Sequence, residues 1–236
     1  MSETIVIDSR FNGPPNSGNG GYVCGLLASS IEGAAEVTLR KPPPLERPLA
    51  MEHDSNGQVL LKDSADILAA ARPAQLDLAL PQPVDFAAAS AAAARYIGFQ
   101  NHFFPDCFVC GPAREQNDGL RIFAGPLSGS QTVAAPWVPS GSLADENGWV
   151  RPEFLWAALD CPGYFAITGT EPSIALLGRM TAEITQQVQP GSQNVVLGWE
   201  IGREGRKRVA GTAVFTASGI LCAKAKATWI EIEPAS

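Results

Sequence analysis

The sequence predicts an α+β fold built twice over, each unit an antiparallel sheet wrapped around a central apolar helix. Three observations predict it. Two stretches with helical apolar spacing carry almost no charge, one around Tyr22–Ile31 and one after Pro152. Each is followed by a series of short strand-like runs separated by Gly, Pro or Asn-Gly signals. The order of elements is the same in both halves: strand, Gly/Pro/Asn loop, apolar helix, strand series ending in a small-residue strand. A helix that is apolar all round must be covered on every side, and a curled antiparallel sheet can cover it.

Taken in chain order, TIVIDS (residues 4–9) is a short strand and FNGPPNSGNGG (11–21) a turn-rich loop. The first helix opens on Gly20 and Gly21 and runs through YVCGLLASSI. Gly25 inside it costs about 1 kcal/mol relative to Ala and marks close packing against a neighbour. AAEVTLRK, LAMEHD, QVLLKD and DILAAARP are strands, with Asn56-Gly57 a hairpin turn. The Ala-rich segment 85–97 is a helix inside a connector. GLRIFAG and QTVAAPWVP open the second half as strands. Pro152 suits a first helical turn, Glu153 suits the positive end of the helix dipole, and Pro162 bends or ends the helix shortly after Asp160. IALLGRMTAEITQQV, NVVLGWEIG, VAGTAVFTAS and ILCAKAKATWIEIE complete the sheet. These boundaries divide the chain into an N-terminal unit 1–80, a connector 81–101 and a C-terminal unit 102–236.

Composition excludes several classes. The 236 residues are 45% hydrophobic and 17% charged, enough apolar mass for a sizeable core. A net charge of −7 disfavours nucleic acid, which demands a basic face. No apolar run reaches the roughly 20 residues of a membrane span, and the N-terminus lacks the basic flank and apolar run of an export signal. Five cysteines are too few and odd in number for a disulfide framework, so a cytoplasmic protein with reduced thiols is expected. Cys107 and Cys110 form a CxxC, but zinc needs two further ligands. With only His53 and His102 in the chain and no second CxxC, buried structural thiols and no metal are the expectation. No G-x-S-x-G elbow and no Walker A loop is present.

Three segments resemble a known family. NGGYVCGLLA resembles the helix start of hotdog-fold thioesterases, commonly HGG or NGG followed by small and apolar residues. CFVCGPAREQNDGLRIF (Cys107–Phe123) resembles the CFVCG…GLR segment of thioesterases similar to the phenylacetate-pathway enzyme. NGWVRPEFLWAALDCPG (Asn147–Gly163) resembles that family's segment in which HGG precedes a helical Asp by nine positions; counted from Arg151, Asp160 falls at that spacing. The resemblance covers most of the chain as two tandem units, a double hotdog. It implies hydrolysis of acyl-CoA or a similar thioester without a cofactor, and allows a homodimer. Two departures stand out: Arg151-Pro152-Glu153 replaces HGG, and Ala28 replaces the first unit's carboxylate.

Thioester hydrolysis needs a carboxylate to attack the carbonyl or activate water, and amides to receive the oxyanion. Eight or nine residues span roughly 12–13 Å along one helix. A helix N-terminus and a carboxylate that far along it cannot both reach one carbonyl, so each site must combine two antiparallel helices. One site joins the Asn19-Gly20-Gly21 amides to Asp160. The other joins Pro152, which has no N–H, to Ala28, which has no carboxylate, and is therefore degenerate. The catalytic candidates are Asp160, Gly20 and Gly21. The substrate-binding candidates are Asn19, Tyr22, Asn147 and Trp156, although Asn19 also suits a helix cap, Asn147 a turn and the two aromatic residues a core. A non-catalytic hotdog that binds a thioester or apolar ligand, and a purely structural module, remain alternatives.

Overall fold

The computed structural model of the chain describes residues 2–169 and 173–232. The strands are β1 (Ser2–Val6), β2 (Ala35–Leu39), β3 (Pro48–His53), β4 (Val59–Asp63), β5 (Asp66–Pro73), β6 (Gly125–Pro126), β7 (Val133–Trp137), β8 (Ala175–Ile184), β9 (Asn194–Glu204), β10 (Lys207–Thr216) and β11 (Leu221–Glu231). They pair in the order β1-β3-β4-β5-β2-β8-β11-β10-β9-β7-β6. The two halves of that order mirror one another about the antiparallel β2–β8 pair, where Ala35 faces Ala182 and Val37 faces Met180. One continuous sheet therefore carries both units. The helices are α1 (Gly20–Ala28), α2 (Phe86–Ala93), α3 (Pro152–Ala158) and α4 (Cys161–Thr168).

The strands follow from the alternation that predicts them. In β4 the pattern runs buried, half-buried, buried from Val59 to Leu61, and β2 repeats it from Ala35 to Val37. Asp54, Asn56 and Gly57 turn the β3–β4 hairpin, with Gly57 at φ +75. Helix α1 lies under β2, β4 and β5, α4 lies under β7, β9 and β10, and α3 packs against α1.

Two sequence expectations are corrected. GLRIFAG is not a sheet strand. Leu120 and Ile122 are buried, but their amides donate to the carbonyls of Phe108 and Val109, and Arg121 at φ +53 leaves the β region. The alternation packs against the Cys107–Cys110 turn instead of a neighbouring strand. The second apolar helix is two helices. Pro162 lacks an N–H and its ring opposes the carbonyl four residues earlier, so the ladder stops at Ala158 and restarts at Cys161. Asp160 occupies the break.

The packing of α1 on α3 is unusually close, and two glycines permit it. A Cβ at Gly25 would lie 2.5 Å from Glu153 Cα, and one at Gly21 would lie 2.6 Å from Asp160 Cβ. These contacts run in opposite directions along the two helices: the start of α1 meets the end of α3. The paired helices are thus antiparallel, and a carboxylate on the second unit meets a helix N-terminus on the first.

Candidate active site

Asn19 caps α1, its Oδ1 accepting from the Tyr22 amide at 2.9 Å. The same side chain turns its Nδ2 toward Asp160 Oδ2, 2.9 Å away, and the Gly21 amide donates to that same oxygen at 2.9 Å. Asp160 therefore does not cap α4, although it stands at that helix's N-terminus. It reaches across to α1, and the helix dipole there favours its charge. The residue is only 2% exposed, and its Oδ1 is buried without a hydrogen-bond partner among the described residues. One oxygen is anchored; the other keeps its lone pairs. Burial pushes the carboxyl up to about 7, partly offset by the Gly21 amide and Asn19, and the neighbouring Cys107 raises it further.

Asp160, Asn19 and Gly20 border a cavity of about 400 Å³. Leu39, Tyr164, Phe165, Leu177, Trp229 and Ile230 give it apolar walls, and Arg40 and Lys41 stand at its mouth. Lys41 is paired with Asp66 at 2.8 Å, whereas Arg40 is exposed and has no ion pair among the described residues. Of the first-turn amides of α1, Gly21 serves Asp160 and Tyr22 serves Asn19. The Gly20 amide has no protein partner among the described residues and sits at the cavity wall.

The remaining predicted residues fall elsewhere. Tyr22 is buried with its ring stacked on Phe11, 4.3 Å between centroids, and close to Phe154 and Phe108. Burial, with Glu153 nearby, pushes its hydroxyl up to about 12. Trp156 is buried against Gly21 and Gly25. Neither is among the residues that line the cavity. Asn147 is exposed in the 145–148 turn, its amide donating to Asp145 Oδ1, and is likewise outside the cavity. At the pseudo-symmetric position, α1 ends at Ala28, and at the start of α3 Pro152 occupies the first turn and Glu153 pairs with Arg151 at 3.3 Å.

Sequence reasoning missed Cys161. It stands beside Asp160 and its Sγ lies 3.8 Å from that of Cys107, with Cys110 completing a trio whose sulfurs are all within 4.8 Å of one another. Hydrogen bonds from the Cys110 and Cys161 thiols hold the Cys107 thiol below the ordinary range, despite its burial. The adjacency of Cys161 to a candidate catalytic Asp was the one available signal.

The fold defined by these elements is the double hotdog, and comparison with solved structures agrees. The tesB protein of Mycobacterium avium subsp. paratuberculosis superposes with a TM-score of 0.64 at 11% identity, over 98% of this chain and 93% of that one. Acyl-CoA thioesterase II TesB2 of Mycobacterium marinum gives 0.62 at 11% identity, covering 99% and 94%. A hot dog fold protein of unknown function from Alicyclobacillus acidocaldarius gives 0.62 at 11% identity, also over 99% and 94%. No protein-family model and no curated protein sequence matches the chain. Among the described residues no helix is long and apolar enough to cross a membrane.

Proposed function

We propose that the chain hydrolyses acyl thioesters, with acyl-CoA as the substrate class, at one composite site per chain. The observation that carries this is the state of the Asp160 carboxylate: Oδ2 is gripped by the Gly21 amide and Asn19 of the other unit, while Oδ1 is free beside an apolar cavity. The thioester carbonyl would lie with its oxygen toward the Gly20 amide at the N-terminus of α1, where the helix dipole favours negative charge. Oδ1 then takes a proton from water as the hydroxide adds to the carbonyl carbon. The tetrahedral oxyanion collapses, the C–S bond breaks, and the thiolate leaves and is protonated. Direct attack by the same oxygen would give a mixed anhydride instead; ¹⁸O found in the Asp160 carboxylate after a single turnover in ¹⁸O-water identifies that route with hydrolysis at the aspartyl carbon.

Tyr164, Phe165 and Trp229 would line the acyl group, and Arg40, with Lys41 behind it, would meet the CoA phosphates. The neighbouring folds named above support the assignment by shared architecture, and one of those proteins, from Mycobacterium marinum, carries a thioesterase name. The pseudo-symmetric position has lost both parts of the machinery, the amide at Pro152 and the carboxylate at Ala28. The test is thiol release from a panel of acyl-CoA chain lengths. Turnover supports hydrolysis, and thermal stabilisation by acyl-CoA without turnover would assign the fold to binding alone.

A further inference from the structure

The Cys107–Cys110–Cys161 trio has no part in thioester hydrolysis as proposed, and its geometry needs a separate explanation. Cys107 and Cys110 sit on one tight turn. The Gly111 amide closes it onto the Cys107 carbonyl at 2.9 Å, and a Cβ at Gly111 would lie 2.4 Å from the Pro105 carbonyl oxygen. Only glycine fits, so the CxxCG turn is fixed in shape. The third cysteine arrives from far along the chain, at the first position of α4, placed by the same break that holds Asp160.

We propose that Cys107, Cys110 and Cys161 bind a thiophilic divalent cation of the zinc class, with three protein thiolates and the fourth position turned to the cavity. The spacing fits the chemistry. Four sulfurs at about 2.3 Å from a tetrahedral zinc lie about 3.8 Å apart, and Cys107 and Cys161 are 3.8 Å apart. All three residues border the cavity. A disulfide would use two of the sulfurs and leave the third unexplained; a cation uses all three. His102 also borders the cavity but does not qualify as the fourth ligand. Its Nδ1 accepts from the Phe104 amide at 3.0 Å, which leaves the proton of the neutral ring on Nε2 and no lone pair to give. Ligating histidines show the opposite pattern, donating through the second nitrogen. Binding converts thiols to thiolates and releases their protons to solvent, so no oxidant or reductant takes part. The site stands on the thiol geometry alone and does not depend on the thioesterase assignment.

The test uses the full-length protein, reduced, stripped by chelator and titrated anaerobically with Zn²⁺ or Co²⁺. One zinc per chain by native mass spectrometry, and a thiolate-to-cobalt charge-transfer band in the near ultraviolet, are expected. Cys110→Ser and Cys161→Ser lose the band, whereas Cys222→Ser, outside the trio, keeps it. The wild-type titration decides the matter even if a variant fails to fold. Absence of a cobalt–thiolate band in the wild-type protein overturns the proposal, as does a band that survives Cys161→Ser. So does an air-exposed chain that is lighter by two hydrogens, with Cys107 joined to Cys161, and that takes up no zinc once reduced.

Discussion

Asn19 holds two jobs with one amide group. Its oxygen caps α1 and its nitrogen steadies Asp160, so Asn19→Ala removes a cap and a carboxylate partner together. The cap alone accounts for about 1 kcal/mol of stability, and the loss of a donor pushes the carboxyl of Asp160 higher still. Asn19→Ala should melt lower, and should lose kcat beyond what the fall in stability explains; wild-type kcat in a protein that melts lower would confine Asn19 to capping. Arg40 is the residue to probe for the CoA end. Arg40→Ala should raise KM for acyl-CoA about five-fold, equivalent to roughly 1 kcal/mol for an exposed charge contact. It should leave KM for the matching N-acetylcysteamine thioester, which has no phosphates, unchanged.

At the scale of elements, the α1–α3 seam positions the candidate site, and two glycines of α1 can be ranked. A methyl at Gly20 meets the side chains of Leu177 and Leu39 at 3.0–3.2 Å, which can shift. A methyl at Gly25 meets the Glu153 backbone at 2.5 Å, which cannot. Gly25→Ala should therefore cost about 1–3 kcal/mol, a melting shift of roughly 2–4 °C per kcal/mol in a chain of this size. Gly20→Ala should melt near wild type; equal losses for the two would contradict the packing described. The sequence already carried much of this. Gly25 inside an apolar helix marked a close neighbour, and Pro162 marked where the second helix fails. Other features could not be read from sequence. Leu120 and Ile122 alternate like a strand but cover a cysteine turn. Tyr22 and Trp156 look the same in sequence whether they face a ligand or a seam. Cys161 meets Cys107 across 54 positions of chain, a distance no local pattern encodes.

At the scale of the whole molecule, one sheet runs through both units across the β2–β8 ladder, and among the described residues α1 and α3 pack closely across the halves beside the candidate site. Calorimetry should show a single unfolding transition, and two well-separated transitions would contradict a shared interface. The doubled pattern in the sequence pointed to this architecture, and the helical spacing of Asp160 pointed to its meeting with Asn19 and Gly21 of the other half. The site's electrostatics emerged only from the structure, since they depend on which amide Asp160 meets and which oxygen stays free. The most direct measurement is steady-state hydrolysis of acyl-CoA by the wild-type protein and by Asp160→Asn, side by side, with folding checked by circular dichroism. The composite site predicts turnover by the wild type and a loss of about 10²- to 10⁴-fold in the folded variant. Hydrolysis by Asp160→Asn at the wild-type rate would contradict it.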